Sequence, residues 1–444
     1  MRTDSVVTAA RRIETVLYTA AHGGFASEAV PLGGGAAIAN LLEAEWARTR
    51  PFNLKLLGPA ILGASAPTAR AIVGFNESQY AAFCDAFREA STAEVLRHDP
   101  ARTAVLVNDI SEGPDFERLV RAGFRIVTIY HVDVVAYIAS IYLRGTVSPA
   151  TLTRWWERLR GGLLRRLSPA ILRLIFEQQR ASLHWSERVA VPSEDMRTIL
   201  TGCYPAIPPS RIEVLPWGVP PAPADWDSAA IDQAAGELRR EYAIPAEAQV
   251  LLCLSRISPE KGQDVLLRAL AEWERSESFP AAPLWLFICG EPAFMQGGRF
   301  GERLRSLARR LRRVHVVFPG YVSGLRKQAF FRLASLYLFP SAHESYGLTL
   351  MEALGAGLPA ICRDHSGARQ ILRPEFGIRV DGSGARARRG LIDALARVLG
   401  DSALRESMAA AAADYTRERP FARSAGTLAE MLTGGELEPD TSAS

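Results

Sequence analysis

Along most of this chain, short apolar runs that end in glycine or a polar turn alternate with longer stretches whose leucines recur at helical spacing. QVLLCL (249–254), LWLFICGEP (284–292) and VHVVFPGYVS (314–323) read as buried strands, the last two closing on Gly290 and Gly320. Strands alternating with helices in this way build an α/β architecture with parallel sheets, whose ligands bind beyond the carboxyl ends of the strands. With 444 residues, 48% of them hydrophobic, there is enough chain for two cores of ordinary size. The best boundary between them is 216–235, where proline, alanine and aspartate displace the periodic apolar residues.

Chemistry concentrates between Pro340 and Pro359, PSAHESYGLTLMEALGAGLP. Leu348, Leu350, Met351 and Leu354 have the spacing of a half-buried helix, which places Glu352 about two turns along it and Glu344 in the loop before it. The helix start offers free backbone N–H groups at Tyr346, Gly347 and Leu348, with Thr349 next in the same turn, and such a terminus attracts phosphate. A carboxylate would repel that phosphate, so Glu344 must serve a neutral, hydroxyl-rich group beside it, and a sugar fits. Glu352 can accept hydrogen bonds from a second diol such as ribose. The bland alternative is a surface helix with two solvated glutamates.

This stretch resembles the signature of family 4 retaining glycosyltransferases, enzymes of the two-domain GT-B fold in which two glutamates eight positions apart face a nucleotide-sugar. The run QVLLCLSRISPEKG extends the likeness, because Arg256 and Lys261 match the Arg and Lys that the family points at the donor diphosphate. The chain uses arginine nearly everywhere a cation is wanted, Lys55, Lys261 and Lys327 being its only lysines, and lysine is a compact point charge suited to phosphate. The segment SGARQIL (366–372) resembles a loop that usually carries two glycines and a glutamate, with Ser366 and Gln370 as departures. RIEVLPWGV (211–219) resembles the strand that ends the first domain, with Trp217 where a small polar residue is more frequent.

In the amino-terminal half, IETVLYTA (13–20) reads as the first strand, followed by a loop ending in PLGGGAAIANLL. Gly33, Gly34 and Gly35 before an apolar helix let a backbone approach a ligand closely, or form a packing turn. They are not a GxGxxG motif, and no acidic residue follows at the spacing that holds a ribose, which disfavours a dehydrogenase. RIVTIYH ends on His131, either a structural strand-end histidine or, as the resemblance implies, a group beside the donor sugar.

The expected fold class is therefore α/β of GT-B type, two Rossmann-like domains whose parallel sheets face a central cleft. Residues 1–218 form the acceptor domain, 219–235 a linker, 236–415 the donor domain, 416–434 a helix crossing back to the first domain, and 435–444 a disordered polar tail. The resemblance implies transfer of a sugar from a nucleotide diphosphate donor to an acceptor hydroxyl with retention. His131, Arg256, Lys261 and Glu344 are the catalytic candidates. Gly34, Gly35, Gly290, Tyr346, Gly347, Leu348, Thr349 and Glu352 are the donor-binding candidates. No cofactor and no metal are expected, since the acid-x-acid pair Asp225-Trp226-Asp227 lies in the linker. A GT-B epimerase and a catalytically silent nucleotide-sugar-binding subunit are the alternatives, and the sequence leaves the acceptor open between a lipid-linked glycan and a soluble molecule.

A formal net charge of +4 gives no general support for nucleic-acid binding. Within 153–180, seven arginines and two glutamates interleave with Trp155, Trp156 and many leucines. Such a stretch can lie on an anionic membrane surface or be a charged outer helix face. The arginine-rich run 299–315 reads mainly as a solvated face. Five cysteines, odd in number and several in strand patterns, point to buried thiols in a reducing compartment. With no long apolar leader or membrane-length run, the expected location is the cytoplasm, with peripheral contact at the membrane's inner face as the further option.

Overall fold

The computed structural model describes residues 12–25, 33–139, 143, 146–159, 168–221, 227–292 and 297–435, the side chains of Val73 and Gly297 excepted. The strands are β1 (Thr15–Thr19), β2 (Asn53–Leu57), β3 (Thr103–Val107), β4 (Arg125–Ile129), β5 (Arg188–Val191) and β6 (Ile212–Val214) in the first half. β7 (Gln249–Leu254), β8 (Leu284–Cys289), β9 (Val314–Gly320), β10 (Leu336–Phe339), β11 (Ala360–Arg363) and β12 (Gly377–Val380) follow in the second. They pair into two six-stranded sheets, ordered β2-β1-β3-β4-β5-β6 and β12-β11-β10-β7-β8-β9. Every pairing is parallel.

Strand composition accounts for this arrangement. Thr103–Val107 is buried at all five positions, as are the four residues of Leu336–Phe339. A central parallel strand with both faces covered by helices needs that continuous apolar run. All five cysteines are buried free thiols, and burial raises Cys84, Cys203, Cys253, Cys289 and Cys362 above the ordinary thiol range.

The expected linker is shorter than 219–235. A helix, Ser228–Glu241, begins inside it and packs on the helix Gly324–Leu333. Asp227 sets its start by accepting from the Ala230 N–H at 2.8 Å, and Ala235 and Leu238 supply the buried face. Asp225 and Trp226 lie outside the described residues, while Asp227 is this cap.

Two crossings tie the halves together. The helix Phe421–Thr433 packs on the helix Gly34–Thr49 and on β3 and β4, with the Trp46 indole donating to the Ala425 carbonyl at 3.2 Å and Arg125 to Leu432 at 3.2 Å. Where the chain leaves the first sheet, Val219 donates to the Arg419 carbonyl at 2.8 Å and accepts from Phe421 at 2.9 Å. Gly218 makes this approach feasible, because a Cβ there would stand 2.4 Å from the Pro420 backbone. Trp217 beside it is buried, stacked on Phe421 at 5.8 Å and on His131 at 6.3 Å between centroids. The tail after Gly435 lies outside the described residues.

Within 153–180, residues 160–167, including Arg160, Arg165 and Arg166, also lie outside the described residues. The two flanking helices, Pro149–Leu159 and Ala170–Trp185, pack through Trp156 on Phe176, their rings 4.8 Å apart and nearly parallel. Trp155 and Leu159, one turn apart, are instead exposed at 50% and 41%. No described helix is long and apolar enough to cross a membrane.

Candidate active site

The second sheet changes strand direction of progress between β7 and β10, and the loops leaving those strands carry the candidates. β7 runs into Arg256 and a short turn, Pro259–Lys261. Gly262 ends that turn at φ +67, and a Cβ there would stand 2.1 Å from the Pro340 carbonyl oxygen. Gly290, at φ +147, likewise lies where a Cβ would be 1.9 Å from the Ser255 oxygen, so backbone packing alone requires a glycine. The Ala342 N–H donates to the Glu260 carbonyl at 2.7 Å and completes the seam between the two loops.

This seam brings Lys261 against Glu344. The ammonium donates directly to Glu344 Oε2, and both side chains are mostly buried. Burial pushes the Glu344 carboxyl up, but the Lys261 ammonium above all, with smaller contributions from His365 and Arg256, outweighs it and holds Glu344 below the ordinary carboxylate range. Glu352 pairs with Lys327 of the helix Gly324–Leu333 at 2.7 Å, so the second glutamate too arrives with a cation attached. Sequence reasoning assigned no role to Lys327, because the two helices meet only in the fold.

The helix Leu348–Gly355 begins at Gly347, whose φ of 107 only glycine adopts readily. The N–H groups of Leu350 and Met351 close back on the Gly347 carbonyl, while those of Gly347, Leu348 and Thr349 meet no acceptor among the described residues. The Thr349 hydroxyl accepts from Tyr337 at 2.8 Å, and the Tyr346 hydroxyl donates to the Trp217 carbonyl in the chain crossing. The altered SGARQ segment is a short helix, Ser366–Ile371, capped by His365 Nδ1, which accepts from Ala368 at 3.0 Å. Gly367 donates to the Glu344 carbonyl at 3.0 Å, so this segment holds the backbone of the first glutamate.

Two histidines beside Glu344 had no assigned role in the sequence. His343 and His365 both feel the Glu344 charge, and each keeps Nε2 buried and unpartnered among the described residues. Burial lowers both, His365 to about 3, so the rings are neutral at neutral pH. His343 also meets Tyr137 of the first half edge to face, at 5.5 Å between centroids, which joins the carboxyl ends of β4 and β10.

From that side come His131 and the glycine turn. Burial lowers His131 to about 4, and its Nε2 faces Asn108 Oδ1 at 2.9 Å. Gly35 lies directly against this histidine, since a Cβ there would be 3.1 Å from His131 Cδ2. Gly34 is exposed at the first position of the helix Gly34–Thr49, and no atom of the described residues outside its own turn lies within 4 Å of where its Cβ would be.

Residues 235–415 match the family model described as Glycosyl transferases group 1. Over 228 residues the chain is 32% identical to D-inositol 3-phosphate glycosyltransferase of Corynebacterium glutamicum (strain R), covering 50% of this chain and 51% of that protein. Over 240 residues it is 32% identical to GDP-mannose-dependent alpha-(1-6)-phosphatidylinositol monomannoside mannosyltransferase of Mycobacterium tuberculosis, covering 52% of this chain and 57% of that one. The chain thus spans about half the length of these relatives. In three dimensions it resembles Anabaena HepE, solved in complex with UDP and glucose, with a TM-score of 0.64 at 15% identity over 95% of this chain and 100% of that one. The architecture is GT-B, and the family-model match falls on its second half, residues 235–415.

Proposed function

We propose, from the group 1 domain at residues 235–415, that this chain is a retaining glycosyltransferase that moves a sugar from a nucleotide diphosphate donor to an acceptor hydroxyl. One observation carries the reading: Lys261 and Glu344 form a buried pair beside the open N–H groups of Gly347, Leu348 and Thr349. The diphosphate takes the cationic side of this arrangement. Arg256, the Lys261 ammonium and the helix start stabilise the negative charge that grows as the glycosidic bond breaks, which is why the reaction needs no metal ion.

Glu344 accepts hydrogen bonds from the donor sugar hydroxyls, and Glu352, steadied by Lys327, accepts from the ribose. His131 approaches the sugar from the other half as a neutral ring. Retention without a protein nucleophile follows from attack on the same face that the phosphate leaves, the departing phosphate oxygen taking the acceptor proton. Sugar nucleotides named for the relatives and neighbours, GDP-mannose and UDP with glucose, are the donors to try first.

The exposed Trp155 and Leu159 on the helix Pro149–Leu159, with exposed Arg154 and Arg158 beside them, support peripheral contact with an anionic membrane. The deciding experiment follows release of UDP or GDP from UDP-glucose and GDP-mannose by the wild-type protein and by Glu344→Gln. Turnover of one donor that the substitution abolishes is the expected result. No turnover of any nucleotide-sugar, or full turnover by the variant, overturns the reading.

A further inference from the structure

The first sheet has its own reversal point, between β1 and β3, and a second polar cluster sits at the carboxyl ends of those two strands. His22, three residues past β1, places Nδ1 3.5 Å from Asp109 Oδ2, and its backbone N–H points at the same oxygen at 3.4 Å. Asn108, at the end of β3, donates to the other Asp109 oxygen at 3.1 Å and to the Gly35 carbonyl at 3.3 Å. Its own carbonyl receives the Tyr18 hydroxyl at 2.6 Å and faces His131 Nε2. One asparagine thus fixes Asp109 and His131 side by side. Gly35 keeps the approach to both open, since a Cβ there would come within 3.5 Å of Asp109 Oδ1.

Behind this pair Glu112 is buried and takes the Tyr80 hydroxyl. Burial pushes Glu112 up, whereas Asp109, despite burial, is held below the ordinary range chiefly by His22. Among the described residues, the basic groups that bear on these carboxylates are His22 and, for Asp109, the neutral His131. The cluster's cation is therefore already committed to a carboxylate. Asp109 and His22 nevertheless remain partly exposed, at 13% and 18% of their side chains.

We infer that Asp109, held by His22, is an acceptor subsite that takes an uncharged, hydroxyl-rich group such as a vicinal diol of a sugar or cyclitol, and not a phosphate. Two adjacent hydroxyls can both donate to a carboxylate that offers several lone pairs. A phosphate at this position would meet Asp109 with no free cation among the described residues of the cluster to offset the repulsion. The acceptor hydroxyl would then lie beside His131, next to the sugar being transferred. This inference rests on the glycosyl-transfer reading and deepens it.

The test uses the full chain with whichever of UDP-glucose and GDP-mannose it hydrolyses. Matched acceptors are myo-inositol against D-inositol 3-phosphate, and methyl α-mannoside against mannose 6-phosphate. A neutral member should accelerate donor turnover more than its phosphate partner. Asp109→Asn and, separately, His22→Gln should raise the KM for that polyol at least tenfold while the donor KM moves less than threefold. Preference for the phosphorylated acceptors, no acceleration by any neutral polyol, or equal shifts in both KM values in the two variants overturns the subsite. Absence of donor hydrolysis in the wild type instead removes the glycosyl-transfer reading on which the subsite depends.

Discussion

The side-chain carbonyl of Gln370 accepts a hydrogen bond from the backbone N–H of Glu194 at 3.1 Å, so the short helix Ser366–Ile371 of one domain caps the first turn of a helix in the other. Next to it Arg369 reaches Asp195 at 2.6 Å and Asp364 at 2.6 Å. The position where the sequence departs from the family's glutamate is thus an interdomain contact in this chain.

These contacts are partly exposed, so each is worth at most about 1 kcal/mol to stability. The double substitution Arg369→Ala with Gln370→Ala should leave the melting temperature nearly unchanged. It should enlarge the radius of gyration in small-angle scattering and raise hydrolysis relative to transfer, because a looser cleft admits water. An unchanged radius together with an unchanged hydrolysis-to-transfer ratio would count against the contact as a closure element.

Lys261→Ala should lower kcat at saturating donor by about 10²–10³-fold, on the order of 2.7–4 kcal/mol, if the ammonium acts as one donor to the leaving group. Near wild-type turnover would sink its assignment. In the same assay activity should persist in excess EDTA, and a complete loss restored by Mg²⁺ would show that a metal carries the leaving-group charge.

Burial opposes protonation of His22, yet Asp109 and then Glu112 hold it as an imidazolium up to about 9, above its ordinary 6.5. Between those values the folded protein keeps a proton that the unfolded chain has released. The resulting stabilisation is full below about pH 6.5 and is lost as pH rises to about 9. His131, lowered to about 4, runs the other way, its contribution complete above 6.5 and lost as pH falls toward 4. Thermal melts of His22→Gln should therefore show a flatter alkaline decline than wild type. An identical decline would mean that the ion pair does not contribute.

If the helix Pro149–Leu159 meets anionic lipid, the protein should sediment with phosphatidylglycerol vesicles at low salt and leave them as salt rises. Each nearby arginine adds roughly 1 kcal/mol that fades within a Debye length. Replacing Arg154 and Arg158 by Gln and Trp155 by Ser should abolish that association with the donor KM preserved. Wild-type protein that ignores such vesicles at low ionic strength would mark this as a solvated helix face.

The strand–helix alternation was legible because buried parallel strands such as Leu336–Phe339 have to be continuously apolar. Arg256, Lys261 and Glu344 could be read from their resemblance to a known motif, and the fold brings Lys261 against Glu344 from loops that follow β7 and β10. The partners of the charges could not. Lys261 with Glu344, Lys327 with Glu352 and His22 with Asp109 are 83, 25 and 87 residues apart and are brought together only by the sheets. The linker was overestimated because Ser228, Ala230 and Ala235 look like coil by composition, while the Asp227 cap and the packing on Gly324–Leu333 make them helix.

The two strands of chain that pass between the domains run shoulder to shoulder, joined at Val219 by hydrogen bonds to Arg419 and Phe421. Two pins set so close resist sliding while leaving rotation about a common line. For the proposed sugar transfer, bringing acceptor oxygen to anomeric carbon would then reduce to a single angle, and a shortened or displaced Phe421–Thr433 helix would blur that angle without altering any residue of the proposed site.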